Sequence, residues 1–123
     1  VVVNQVAFAV LTANTIRNNP GNGVVVGEGS AAHVGFNNAS DSVARGNVIQ
    51  DNDGNGITVS GSSSIRAVGN NINGNGGHGV IVMRAAQGDL SGNPINNNGG
   101  DGIFVTEDSS VQLGEDPGII CRG

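Results

Sequence analysis

Tryptophan and tyrosine are absent from this chain, and aromatic residues make up 2% of it. A sugar- or base-stacking platform of rings is therefore hard to build here. The cations are few and all arginine: Arg17, Arg45, Arg66, Arg84 and Arg122, within a formal net charge of −5. They cluster on no stretch, which argues against nucleic acid as a partner. Cys121 is the single cysteine, so no disulfide can close within the chain. No Cys/His group has zinc-ligand spacing, and no metal is expected. No apolar run approaches the ~20 residues of a membrane-spanning helix, so no membrane partner is expected either. What the chain has in quantity is glycine, 22 of 123 residues, together with asparagine, both at fixed intervals.

Asn47, Asn70 and Asn93 stand 23 residues apart. Each opens the phrase asparagine-x-isoleucine-x-x-asparagine, followed by a glycine-rich turn and then glycine-aliphatic-x-valine. A period in this range marks stacked supersecondary units. The first asparagine column is Asn14, Asn47, Asn70 and Asn93; the second is Asn19, Asn52, Asn75 and Asn98. Glycine columns follow at Gly21, Gly54, Gly77 and Gly100, and at Gly23, Gly56, Gly79 and Gly102. Isoleucine recurs at Ile16, Ile49, Ile72 and Ile95, and the aliphatic pairs are Val24/Val26, Ile57/Val59, Val80/Val82 and Ile103/Val105. The frame extends back to Val1 and Val3 and forward to Asp116. One interval departs from it: Asn14 and Asn47 are 33 residues apart, one period plus ten.

Within each copy, aliphatic residues alternate with others over runs too short for helices, which is the period of a strand. Further runs carry Ile65/Ala67, Leu90 and Val111/Leu113. Three short strands and three turns per repeat predict one coil of a parallel β-helix, stacked on the next at roughly 4.8 Å. Every column then becomes a ladder. Inward asparagines can satisfy turn backbone groups that would otherwise be buried unpaired, so both columns read as structural ladders rather than ligands. Glycines supply the positive φ of sharp turns.

The phrase N-x-I-x-x-N-x-G-[NHD]-G-[VI]-x-V resembles the repeat of the right-handed parallel β-helix superfamily, the pectate-lyase-like proteins. It is especially similar to the generic repeats of the NosD-type and alginate-epimerase-type branches. The resemblance covers nearly the whole chain and implies an all-β, right-handed parallel β-helix with three short parallel sheets and about five coils. It is specific for fold and not for function, because the same coil serves lyases, epimerases and non-catalytic scaffolds. In that family the strand after the glycine-rich turn often floors a saccharide-binding cleft.

The length fits a single domain over 1–123. Val1 to Leu11 is apolar but lacks a basic start and keeps the repeat register, so it reads as a coil rather than a signal peptide. A chain that opens in mid-coil without Met is expected to be a fragment or a processed product, with a lean towards a secreted or extracytoplasmic setting. Cys121, in Ile119-Ile120-Cys121, reads as a small buried hydrophobe in a cap strand, the sharper alternative being a bond to another chain. The ten-residue excess has two placements. If Ala32 and Val34 take the strand places it lies at about 36–45; if Val43 does, it lies nearer 28–38. Either way His33, Asp41 and Arg45 lie on or beside it.

Candidate chemistry sits where polar residues replace the usual occupant of a column. Asn22, Asn55, His78 and Asp101 share one turn position; stacking places His78 one coil from Asp101, an arrangement that suits an oriented base. The plainer reading is that this turn accepts any short polar side chain. After the cleft-type strand come Glu28, Gly61, Arg84 and Glu107, with Asp108 next. Arg84 and Glu107 read either as a surface ion pair of small value or as the flank of an acidic-sugar site. The resemblance implies for a lyase that an arginine abstracts the proton while calcium held by aspartates neutralises the uronate. Only Arg84 occupies a comparable place, and the acidic residues near it are too few for a calcium cage.

The outward column of the cleft-type strand, Val2, Val25, Thr58, Ile81 and Phe104, is mostly apolar. An exposed apolar stripe marks an interface, so Val25, Ile81 and Phe104 are expected to contact a second copy or a covering segment. The leading expectation is a non-catalytic, rigid β-helix scaffold that presents a binding or self-assembly surface, towards a polysaccharide or its own copies, with no cofactor. The alternative is a small or truncated acidic-polysaccharide lyase or epimerase, using Arg84, Glu107, Asp108, His78 and Asp101, with calcium as the lyase's cofactor.

Overall fold

Short alternating runs between turns become fourteen strands in a computed structural model that describes residues 1–114. The expectations for Asp116 and Cys121 lie outside the described residues. In chain order the strands are β1 (Val2–Val3), β2 (Phe8–Leu11), β3 (Thr15–Arg17), β4 (Val24–Val26), β5 (Ala31–Val34), β6 (Val48–Gln50) and β7 (Ile57–Val59). They continue as β8 (Ser64–Val68), β9 (Asn71–Asn73), β10 (Val80–Val82), β11 (Gln87–Ser91), β12 (Ile95–Asn96), β13 (Ile103–Val105) and β14 (Ser110–Leu113). Every third strand pairs, in parallel. Sheet A is β1-β4-β7-β10-β13, sheet B is β2-β5-β8-β11-β14 and sheet C is β3-β6-β9-β12. The register follows the repeat, so Ile81 lies between Thr58 and Phe104. This is a parallel β-helix of five stacked coils, whose inward valines and isoleucines form one continuous core.

The polar groups at the corners of the coils are satisfied by ladders. Asn47 Nδ2 donates to Asn70 Oδ1, and Asn70 Nδ2 to Asn93 Oδ1, each at 2.9 Å. The same amides reach back to carbonyls of the preceding coil, Leu11 O from Asn47 and Val34 O from Asn70. The second column repeats the device, with Asn52 Nδ2 donating to Asn75 Oδ1 and to Ile16 O. A third ladder went unread in the sequence. At the corner between sheets A and B, Ala7 N donates to Ser30 Oγ, Ser30 N to Ser63 Oγ and Ala86 N to Ser109 Oγ. Serine is a weaker turn signal than asparagine and alanine is none, and the column mixes them as Ala7, Ser30, Ser63, Ala86 and Ser109, so only the period could have revealed it.

The same corner takes two consecutive left-handed residues in every coil: Gln5-Val6, Glu28-Gly29, Gly61-Ser62, Arg84-Ala85 and Glu107-Asp108, all with φ between 54° and 71°. A non-glycine residue in that region costs roughly 1–2 kcal/mol. Here the closure of the coil imposes it, for β-branched Val6 as for the rest.

Of the two placements for the ten-residue excess, the structure takes the first: β5 uses Ala31–Val34, and the extra residues lie before β6, at about 36–45. The neck of this loop is closed by Arg45 N donating to Gly35 O at 2.6 Å. Gly35 has φ +103° there, and a Cβ on it would run into the Val68 carbonyl oxygen. Phe36 folds back and is fully buried on Val68 and Ala44, a small cluster separate from the core.

Candidate functional site

The titratable residues singled out in the sequence fall on opposite margins of sheet A. His78 and Asp101 precede β10 and β13; Arg84, Glu107 and Asp108 follow them. On the first margin, Asn22 Oδ1 accepts from Asn55 N at 2.8 Å, and Asn55 Oδ1 from His78 N at 2.7 Å. His78 Nδ1 continues that ladder by accepting from Asp101 N at 2.9 Å. The imidazole thus stands in for an asparagine carbonyl oxygen. Asp101 Oδ2 is 3.9 Å from the same nitrogen, so the backbone amide, not the carboxylate, is the near partner. The ring lies flat on Phe104, with centroids 4.9 Å apart and planes 13° apart.

On the second margin, Arg84 Nε is 3.5 Å from Glu107 Oε2, with side chains 67% and 52% exposed. Both residues belong to the left-handed corner that all five coils share, as does Asp108. Strain confined to one coil would point to function; strain repeated in each coil belongs to the architecture. Among the described residues no three His, Cys, Asp or Glu side chains gather where they could hold a metal ion.

The outward column of sheet A differs from the continuous exposed stripe expected of it. Thr58 is 5% exposed and Ile81 9%. Asn55 Nδ2 donates to Thr58 Oγ1, and Ile81 is flanked by Thr58 and Phe104. Only the ends of the column open to water, at Val2 and at Phe104, which is 38% exposed; Val25 is intermediate. As interface candidates, then, Ile81 is withdrawn beneath its neighbours and Phe104 stands proud. The reason is geometric: Thr58 and Ile81 have a column neighbour in the coil on each side, whereas among the described residues Val2 and Phe104 have one on a single side.

Sheet B presents a different outer face, which the sequence reading passed over. Its strands have four or five residues, so two outward columns run side by side. One is Phe8, Ala31, Ser64, Gln87 and Ser110; the other is Val10, His33, Arg66, Asp89 and Gln112. Over β8, β11 and β14 these columns line a groove of about 450 Å³. Arg66 Nε is 3.6 Å from Asp89 Oδ2 across it. At the other end of the sheet the rings collect: His33 stacks on Phe36 at 4.4 Å, Phe8 meets His33 edge-on at 5.0 Å, and the Arg66 guanidinium lies 5.9 Å from the Phe36 centroid. The signal in the sequence was the run of polar residues at two-residue spacing in 64–66, 87–89 and 110–112, which periodicity of the aliphatics alone does not display.

A family model described as right handed beta helix region matches residues 1–116 of the chain. No curated protein and no solved structure matches it.

Proposed function

The chain belongs to the right-handed β-helix family, and from that premise we propose that it is a non-catalytic scaffold whose rigid outer faces present a binding or self-assembly surface. The ligand class we assign is polysaccharide, met outside the cytoplasm. One observation carries the reading: the residues with acid–base chemistry occupy places that each coil uses for its own architecture. His78 serves as the acceptor of a hydrogen bond between successive coils, and Arg84, Glu107 and Asp108 sit in the repeated left-handed corner. Self-association is the second mode of the same scaffold, through the exposed ends of the sheet A column at Val2 and Phe104.

A second reading has its own observation, the Arg84–Glu107 pair at 3.5 Å with Asp108 beside it. An acidic-polysaccharide lyase or epimerase would use Arg84 as base, with calcium as the lyase's cofactor. One experiment separates the scaffold from the lyase; an epimerase, which forms no unsaturated uronide, is tested separately by the uronate composition of the recovered polymer. The purified chain is incubated with acidic and neutral polysaccharides, with and without calcium, while ultraviolet absorbance of unsaturated uronides and co-sedimentation with the polymer are followed. The scaffold reading expects a flat absorbance trace together with retention on a polymer or a self-associated species. A rising trace that Arg84→Ala removes would replace it with the lyase.

A further inference from the structure

We propose that the groove on the outer face of sheet B holds a neutral, hydroxyl-rich linear glycan lying along the solenoid axis, across β8, β11 and β14. This rests on the reading of the chain as a polysaccharide-binding scaffold, and names the surface and the ligand class within it.

The argument begins with spacing. The two columns that line the groove advance by one coil per step, ~4.8 Å, so equivalent side chains on the first and third coils lie about 10 Å apart. A surface that presents a polar side chain at each step of a fixed short interval, Ser64, Gln87 and Ser110 in one column and Arg66, Asp89 and Gln112 in the other, is matched by a ligand with polar groups at similar steps, a linear polymer with small units. A peptide strand fits poorly. It would add to a sheet through main-chain hydrogen bonds at an edge, whereas this groove offers the side chains of a strand face whose backbone groups are already paired within the sheet.

The chemistry then selects the polymer. Gln87 and Gln112 each bring an amide that donates and accepts, and Ser64 and Ser110 each a hydroxyl that does both. These are the complements of sugar hydroxyls. Arg66 and Asp89 face each other, so the groove carries one charge of each sign and no net charge. A polyuronate would have to compete with Asp89 for Arg66 and approach a chain of net charge −5, at an electrostatic cost. A neutral glycan meets neither obstacle.

The ends of the groove differ. Towards β5 it meets the ring block, in which His33 continues the Arg66 column and Phe36 flanks the guanidinium. Phe8, 59% exposed, adds an apolar ring against which the C–H face of a terminal sugar can rest. Towards β14 no described residue beyond Ser110 and Gln112 lines it. The ten-residue loop, the one irregularity of the repeat, supplies Phe36, which is fully buried and backs His33 and the Arg66 guanidinium, so the departure from regularity supports this end of the groove from beneath. Because the columns stand on hydrogen-bonded strands rather than on loops, little ordering cost accompanies binding.

The test is an NMR titration of the isotope-labelled chain with neutral gluco-, manno- and galacto-oligosaccharides, and in parallel with oligogalacturonate. A neutral glycan is expected to shift amides in 64–66, 87–89 and 110–112. Gln87→Ala with Gln112→Ala is expected to weaken binding about tenfold or more with an unchanged melting temperature, while Arg17→Ala, exposed on sheet C, leaves binding intact. Gln87→Glu, near-isosteric and at an exposed position, covers the case in which the double variant does not fold. Shifts confined to the margins of sheet A, with the glutamine variants silent, would overturn the groove and leave the binding scaffold standing. Preference for the uronate would overturn the neutral class. No shift with any sugar would overturn the groove and the polysaccharide reading together, and sedimentation would then decide whether self-association preserves the scaffold.

Discussion

Sheets A and B have five strands each and the same parallel pairing, and both feed one core, A through valine and isoleucine and B through a more varied set (Ala32/Val34, Ile65/Ala67, Gly88/Leu90), yet their outer faces have little in common. Sheet A strands of two or three residues leave a single outward column, whose middle is covered by its own neighbours. Sheet B strands of four or five residues leave two columns, wide enough to floor a groove. Strand length, not sequence period, decides whether a face of this solenoid is a ridge or a trough. The repeat fixes what faces inward, where each coil must match the next; the outward columns are released from that requirement and carry the differences between faces.

The comparison breaks if the interior both faces stand on is cut. Asn70 Nδ2 donates to Val34 O and Asn93 Oδ1, while its Oδ1 accepts from both N and Nδ2 of Asn47. Asn70→Ala orphans several buried groups at about 1–3 kcal/mol each, so a loss of roughly 3–5 kcal/mol in a denaturant titration is expected. Both faces should lose protection in hydrogen exchange together. A smaller and local effect is expected from Phe36→Ala. A fully buried phenylalanine costs about 3 kcal/mol on truncation, but its cluster lies outside the core. Exchange should therefore rise in 36–45 and 64–68 and stay unchanged in 80–82. If 80–82 loosens equally, the faces are not independent.

Much of this was legible in the sequence, and the physical reason is consistent. The asparagine, isoleucine and aliphatic columns were visible because an inward position in one coil must pack on the same position in the next. Outward positions and corners escaped. Arg84, Ala85 and Val6 adopt left-handed φ without being glycine or asparagine, since closure of the coil compels them. His78 drew notice as a candidate base because it breaks its column chemically, while in the fold it keeps the column's hydrogen bond. The loop had two placements because Ala32/Val34 and Val43 suit a strand equally well; the pairing of β5 with β8 makes the choice. Phe36, two residues beyond β5, gave no sign that it would be buried.

Sheet A's face is sharpened by two serines. Ile81→Ser replaces a side chain that is 9% exposed and is expected to lower stability by about 2 kcal/mol, without altering sedimentation. Phe104→Ser, 38% exposed at the end of the same column, is expected to cost about 1–2 kcal/mol and to be the variant that changes self-association, if this face is where copies meet. The reverse assignment, with Ile81→Ser dispersing a dimer, would restore a continuous stripe that only a partner could expose.

The smallest effect expected is the most discriminating. Arg84 and Glu107 pair at 3.5 Å with both side chains more than half in water, where ion pairs contribute about 0–1 kcal/mol. Arg84→Ala keeps the φ of +57° that the corner imposes and neither adds nor relieves backbone strain, as a glycine would. Its melting temperature should therefore match the parent's closely. A side chain that contributes so little to the fold can be removed without a stability artefact, so any change in activity or ligand binding on Arg84→Ala reports chemistry at that corner alone. If the variant instead melts well below the parent, the pair holds sheet A's margin in place, and the difference between the faces extends beyond strand length to what anchors them.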